Sequence, residues 1–198
     1  MKCTSCSDDA VYECGTCGKP LCAKHARFRT VCANCVNSER LVYGIRKMGS
    51  ASEKETVREL VKRFWGEDQQ LTFGRVFEVS KLPAYVAKVK NKVAGFVASA
   101  SLGDAVIIVA LGVAPEYQSC GIGGELVERV ECEARRMGKR KLLVSTSNDD
   151  LPALAFYQCR GFQIFSVKTN VIAKKHGKIL IGIGGLPIRD ELRMRKIL

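Results

Sequence analysis

The stretch Val113-Ala114-Pro115-Glu116-Tyr117-Gln118-Ser119-Cys120-Gly121-Ile122-Gly123-Gly124-Glu125-Leu126 decides how this chain is read. Apolar residues 105–113 form a strand that runs through a short turn into a glycine-lined loop. The loop opens an amphipathic helix with Leu126, Val127 and Val130 on one face. A junction of this kind binds phosphate. Glycines take positive φ and let a ligand approach the backbone, while the orphan N–H groups and the positive end of the helix dipole point at the anion. No lysine follows the glycines as in a nucleoside-triphosphate loop, and the spacing is not the dinucleotide fingerprint. The backbone of Gln118, Cys120, Gly121, Ile122, Gly123 and Gly124 is therefore the candidate anion cradle.

A second pattern lies downstream. Apolar residues 141–144 form a strand, Thr146-Ser147-Asn148-Asp149-Asp150 follows, a short helix carries Phe156-Tyr157-Gln158, and Gly161-Phe162 enters another strand. Together, Gln118-x-x-Gly121-x-Gly123 and the Asn148, Tyr157, Gly161-Phe162 pattern resemble the two signatures of the GNAT superfamily of N-acetyltransferases. Phe64-Trp65-Gly66, Leu82-Pro83 and Pro187-Ile188-Arg189-Asp190-Glu191 extend the resemblance over about residues 41–198.

The resemblance implies an α/β (α+β) fold with a mixed central sheet whose strands 105–113 and 140–146 are parallel and splay apart, with acetyl-CoA as cosubstrate. The glycine loop would hold its pyrophosphate, and a bulge at Gly112 would free the backbone of Leu111 and Val113 to pair with the pantetheine arm. Asn148 would bind the cofactor or order the splayed strand end. Tyr157 would touch the cofactor and protonate the departing thiolate. Two departures stand out. Asp150 occupies a position where the branch of small acetyltransferases that this chain resembles often has a second asparagine, and Val106-Ile107-Ile108-Val109 lacks the glutamate that related enzymes often carry. Adjacent strand residues face opposite sides, so only one of Asp190 and Glu191 can enter the cleft, and Glu191 is the expected base, with His176 as runner-up. Trp65 either lines the acceptor groove or fills the core.

Ten cysteines are unevenly placed, seven of them before residue 36, in the pattern Cys3-x2-Cys6, Cys14-x2-Cys17, Cys22-x2-His25, Cys32-x2-Cys35. Thiolates and imidazole at this spacing close tetrahedral zinc sites, and two structural Zn2+ ions follow from eight ligands. A disulfide-stapled secreted segment is the competing reading, disfavoured by the histidine at a ligand position and by the absence of an apolar leader. The module resembles the cross-braced B-box type. That resemblance implies one ion on Cys3, Cys6, Cys22 and His25 and another on Cys14, Cys17, Cys32 and Cys35. The expected division is a zinc module over 1–38 and an acetyltransferase domain over 39–198, in a cytoplasmic protein.

The formal charge of +12 falls to about +9 once seven thiolates and two Zn2+ ions are included. Residues 135–198 hold 14 Lys or Arg against 4 Asp or Glu. Such a surplus suits the CoA 3′-phosphate, an acidic partner such as nucleic acid, or simply a solvated face, and no aromatic-interleaved motif supports nucleic acid. The longest apolar run, 105–114, is too short to span a bilayer.

Periodicity predicts a strand over 41–48 and a helix capped by Ser52-x-x-Glu55. A hairpin over 84–90 and 93–101 turning at Asn91-Lys92 comes next, then the strand 105–113 and helices over 121–137 and 152–160. Further strands are expected over 140–146, over 162–169 and from residue 188. Residues 66–83 carry no clear signal. The expected activity is acetyl transfer to an amine, of a protein or peptide because a metal-folded appendage commonly recognises macromolecules. The alternative is a CoA-binding adaptor that has lost its base and whose zinc module docks a partner.

Overall fold

The structure, a computed structural model, describes residues 1–10, 12–13, 19–22 and 41–198. The chain divides into two compact units, Met1–Val42 and Tyr43–Leu198. In the first, β1 (Tyr12–Glu13) pairs antiparallel with β2 (Pro20–Leu21), and Leu21, Cys3 and Cys22 are buried.

The second unit opens with β3 (Gly44–Lys47) and α1 (Ala51–Trp65). The cap of α1 is Ser50, two residues earlier than the sequence pattern suggests. Its hydroxyl accepts from the Glu53 amide, and the Glu53 carboxylate reaches back to the amides of Ser50 and Gly49. This reciprocal arrangement satisfies donors that would otherwise be orphaned, and Glu53 also pairs with Arg46 and Lys88. Left-handed Gly66 ends the helix.

The stretch left blank by sequence patterning forms a hairpin, β4 (Gln69–Thr72) and β5 (Arg75–Glu78), turning through Phe73 and Gly74 at positive φ. Then follow β6 (Ala84–Val89), β7 (Lys92–Leu102) and β8 (Ala105–Val113). The β6–β7 turn falls on Lys90 and Asn91, one residue before the predicted position, with Lys90 at φ 53°. Helix α2 (Ile122–Arg136), β9 (Lys141–Ser147), α3 (Leu151–Gln158), β10 (Gln163–Lys168) and α4 (Val171–His176) come next. The unit closes with the short pair β11 (Leu180–Ile181) and β12 (Pro187–Ile188), then β13 (Glu191–Ile197).

Seven strands make one sheet in the order β10-β13-β9-β8-β7-β6-β3, with β8 and β9 its parallel pair. Val57, Leu60 and Val61 of α1 pack on Val86, Phe96, Ala98 and Ala110. Opposite α1, α2 buries Ile122, Leu126, Val127 and Val130. Two glycines on neighbouring strands, one step out of register with each other, show the two layers. A Cβ on Gly112 would stand 2.7 Å from the Phe64 ring of α1, and one on Gly95 would stand 3.2 Å from Ile122 of α2. The hairpin β4–β5 lies on the α1 face, where Phe73 and Phe77 pack on Ala105, Ile107 and Leu143. Among the described residues no helix is long and apolar enough to cross a membrane.

Candidate active site

Strands β8 and β9 pair only from Ala105–Lys141 to Ile108–Val144, and beyond that point they diverge. The register of β8 against β7 slips between Ile108 and Ala110, so the bulge sits at Val109 and not at Gly112. Gly112 is in regular register opposite Phe96, and close packing under Phe64 accounts for it. The amide of Ala114 donates to the Ala94 carbonyl on β7. Hydrogen-bonding groups alternate along a strand, so Gly112 also points toward β7, while Leu111 and Val113 present theirs to the gap. In this structure the Val113 carbonyl accepts from the Gln118 side-chain amide at 3.0 Å.

At the end of the gap, Ser119 and Gly121 both take positive φ, 66° and 88°, which turns the chain into α2 with no side-chain cap on its first amides. The amides of Ile122, Gly123 and Gly124 form the first turn and have no intrahelical acceptor, an arrangement able to receive an anion. The Cys120 thiol leans on the Gln118 carbonyl. Gly123 and Gly124 have a further role. A Cβ on Gly123 would stand 3.3 Å from Phe156, and one on Gly124 would stand 2.5 Å from the Arg160 guanidinium, so both let α3 lie against the start of α2. Arg160 in turn stacks over Phe156 at 3.8 Å. Tyr43, which sequence reasoning missed, donates to Glu125 at 2.6 Å beside the loop. Burial pushes its hydroxyl up to about 12. No local pattern announces it, because its partner lies on a distant helix.

Tyr157 sits on the buried face of α3, with edge-on rings of Phe156 and Phe162 at 5.1 and 5.3 Å. Burial raises its hydroxyl above the ordinary tyrosine range, with the Asp150 carboxylate adding to the effect, so it is protonated and can donate. Asp150 caps α3 by accepting from the Ala153 amide.

Asn148, expected to bind the cofactor or to order the splayed strand end, accepts through its side chain from the amides of Arg189 and Asp190 and donates to the Pro187 carbonyl, contacts that tie the end of β9 to the segment before β13. Glu191, expected as the base, is 2% exposed. One of its oxygens accepts from the Phe73 amide at 2.8 Å, and the other from Arg193 Nε and Nη2 at 2.9 and 2.8 Å. These contacts tie the hairpin tip at Phe73 to β13. Asp190 is held by the Asn170 amide and by Arg189, which keep its carboxyl below the ordinary range. His176 is exposed at the end of α4. Trp65 is partly exposed and meets Phe64 and Phe96 edge-on.

The basic clusters are largely paired: Arg135 with Glu131, Arg136 with Glu133, Arg140 and Lys141 with Asp104, and Lys175 with Glu67. The distal surplus is thus less available to an acidic partner than the sequence count implies.

In the first unit the sulfurs of Cys3, Cys6 and Cys22 lie within 4.8 Å of one another, and those of Cys6 and Cys22 are 3.7 Å apart. Tetrahedral thiolates at about 2.3 Å from zinc stand roughly 3.8 Å apart, so the three fit one ion. These are the thiols that cross-bracing assigns to a single site. The remaining expected ligands, Cys14, Cys17, His25, Cys32 and Cys35, lie outside the described residues.

Comparison with known proteins gives the same outline. Residues 54–162, more than half of the chain, match the acetyltransferase (GNAT) family. Two uncharacterized proteins of Bacillus subtilis (strain 168) are similar over nearly their whole length. YxbD is 29% identical over 148 residues, covering 72% of this chain and 92% of its own. YdhI is 26% identical over 150 residues, covering 73% and 92%. Among solved structures, the IAA acetyltransferase from Bacillus cereus ATCC 14579 has a TM-score of 0.62 at 24% identity, covering 79% of this chain and all of that one. A GNAT family acetyltransferase from Elizabethkingia anophelis with acetyl-CoA bound has a TM-score of 0.60 at 20% identity, covering 79% and 98%. The structural likeness shows the fold, and the match over most of the folded unit shows that this chain belongs to the GNAT acetyltransferase family.

Proposed function

We propose that the protein is an acetyl-CoA-dependent N-acetyltransferase whose acceptor amine is carried by a protein or peptide. The observation that carries this reading is the fork: after Ile108–Val144 the strands part, leaving the backbone of Leu111 and Val113 toward the gap and an uncapped helix start at its end. A strand-like pantetheine arm fits the first, and a pyrophosphate on the amides of 122–124 fits the second. Acetyl-CoA bound there would supply an activated acyl carbon. Leu111 and Val113 would align the arm, and Tyr157, kept protonated by burial, would give its proton to the leaving sulfur. The macromolecular acceptor is favoured by the thiol cluster in the first unit, which suits a zinc-built recognition module.

A second reading, a CoA-binding adaptor, draws on the apolar segment 106–109 and on the committed carboxylate of Glu191. One experiment separates the two. The purified full chain is given acetyl-CoA with a lysine-containing peptide library and with a pool of small primary amines, and free thiol release is followed. Amine-dependent release is expected. Tight CoA binding by calorimetry with no release from either pool would replace the enzyme with the adaptor.

A further inference from the structure

The apex of the fork carries a pair of hydroxyls that none of the roles above uses. Ser145 is the first residue of β9 beyond the last parallel pair, and Thr72 ends β4. Their side-chain oxygens lie 2.5 Å apart. Thr72 is 4% exposed and Ser145 half-buried; beside them the hairpin packs through Phe73 and Phe77 on an apolar layer of Ala105, Ile107 and Leu143, while Arg193 stands opposite Ser145 on β13. A valine at position 72 would suit such a layer, because a hydroxyl placed there loses water that it must replace with a hydrogen bond. The mutual bond uses one hydroxyl hydrogen. The other hydrogen and the remaining lone pairs have no described partner, and Ser145 stands where the gap opens.

The pair sits on the face of the sheet opposite α2 and the adjoining α3, and so opposite Tyr157. It also sits one step past the Ile108–Val144 pair, at the end of the apolar run 106–109 that carries no acid. The hairpin tip that brings Thr72 there is fixed by the Phe73 amide on Glu191 and by Arg193 over the Phe73 ring at 4.9 Å. Glu191 and Arg193 thereby acquire a positioning role that their buried ion pair alone would not suggest.

Resting on the acetyl-transfer reading, the geometry points to Ser145 and Thr72 as the group that receives the attacking amine. The neutral amine enters from the hairpin face, and one N–H donates to the Ser145 oxygen, which aims the nitrogen lone pair at the thioester carbon. The C–N bond forms and the C–S bond breaks. The proton lost by nitrogen passes to the Ser145–Thr72 pair while that pair passes one of its own to water. The thiolate takes a proton from Tyr157, which solvent restores. One amine and one thioester give one amide and one thiol, with no net proton.

The test uses the full chain with the amine pools above. Ser145→Ala is expected to lower turnover on the order of a hundredfold, as loss of a proton-handling group does, with CoA affinity and melting temperature unchanged. Ser145→Thr keeps a hydroxyl and is expected to retain most activity, which a purely packing role would not predict. Thr72→Val is expected to fall with Ser145→Ala, and their double variant to be no worse than either alone. Near-normal turnover in Ser145→Ala overturns the assignment while leaving the acetyltransferase intact. Absence of transfer by the unaltered protein overturns both readings.

Discussion

Gly112 lies directly beneath Phe64: a Cβ at that position would stand 2.7 Å from one ring carbon of Phe64 and 2.9 Å from Phe96. The absence of a side chain there lets α1 come down onto the strand that forms one arm of the fork. Gly112→Ala is expected to cost about 1–3 kcal/mol by overpacking, with the denaturant slope unchanged. A urea midpoint within error of the unaltered protein would refute the packing role and return the glycine to a backbone one.

Gly121 is the loop position where conformation matters most. Its φ of 88° belongs to the left-handed region, while a Cβ there would meet nothing closer than the Tyr43 hydroxyl at 3.5 Å. A side chain is therefore accommodated sterically and penalised only through the backbone, by about 1–2 kcal/mol for an ordinary residue. If the loop relaxes, the first-turn amides of α2 lose their aim. Gly121→Val should weaken CoA binding about tenfold in calorimetry while the fold survives. Gly123→Ala is a useful comparison, since its Cβ meets Phe156 at 3.3 Å and it reports helix packing instead.

The strands, the two main helices and the glycine loop were legible because each rests on local pattern: apolar alternation, a 3–4 repeat, and a turn that only glycine tolerates. What escaped depends on partners far away in the chain. Residues 66–83 carry no clean alternation because the strands of their hairpin are only four residues long, and the hairpin tip is fixed by Glu191, 118 positions away from Phe73. Gly112 looked like a bulge because a glycine near a strand end allows one, yet the slip occurs at Val109, which has no compositional mark. Asn148 and Glu191 were singled out from chain order, whereas their hydrogen bonds to Pro187, Arg189, Asp190, Phe73 and Arg193 are invisible in sequence.

Glu53 makes a pH-dependent contribution to stability. Burial opposes ionisation, but the amides of Gly49 and Ser50 and the Arg46 charge outweigh it and hold the carboxyl below its ordinary value of 4.5. A group depressed in the folded state stabilises above the unfolded pKa and loses that contribution as pH falls through the folded one. Glu53→Gln should therefore lower stability by about 1–3 kcal/mol at neutral pH. The gap to the unaltered protein should close as pH drops below about 4.5. Chemical denaturation at pH 7 and pH 3 checks it, and a pH-independent difference would contradict the ionic origin.

The thiol cluster predicts metal. Three sulfurs within 4.8 Å of one another suit one tetrahedral ion, and the remaining pairs in the sequence suit a second. Elemental analysis of protein purified without chelator should give two zinc ions per chain. Cys6→Ser should remove one of them, while the GNAT unit keeps its melting transition. Less than one zinc per chain would defeat this assignment.

Tyr157 is the sharpest test of the chemistry. Its burial raises the hydroxyl above the ordinary tyrosine range, so it holds its proton at neutral pH and has one to give. Donation to sulfur matters only as negative charge develops there, so removing the hydroxyl should affect turnover far more than binding. Tyr157→Phe keeps the ring between Phe156 and Phe162 and so preserves the packing of α3. Turnover is expected to fall on the order of a hundredfold, with CoA affinity and melting temperature unchanged. An acyl donor with a more acidic leaving thiol needs less help, and the deficit of Tyr157→Phe should shrink with it. Equal deficits for both donors would show that the hydroxyl acts on something other than the departing sulfur, and no deficit would leave Tyr157 a packing residue.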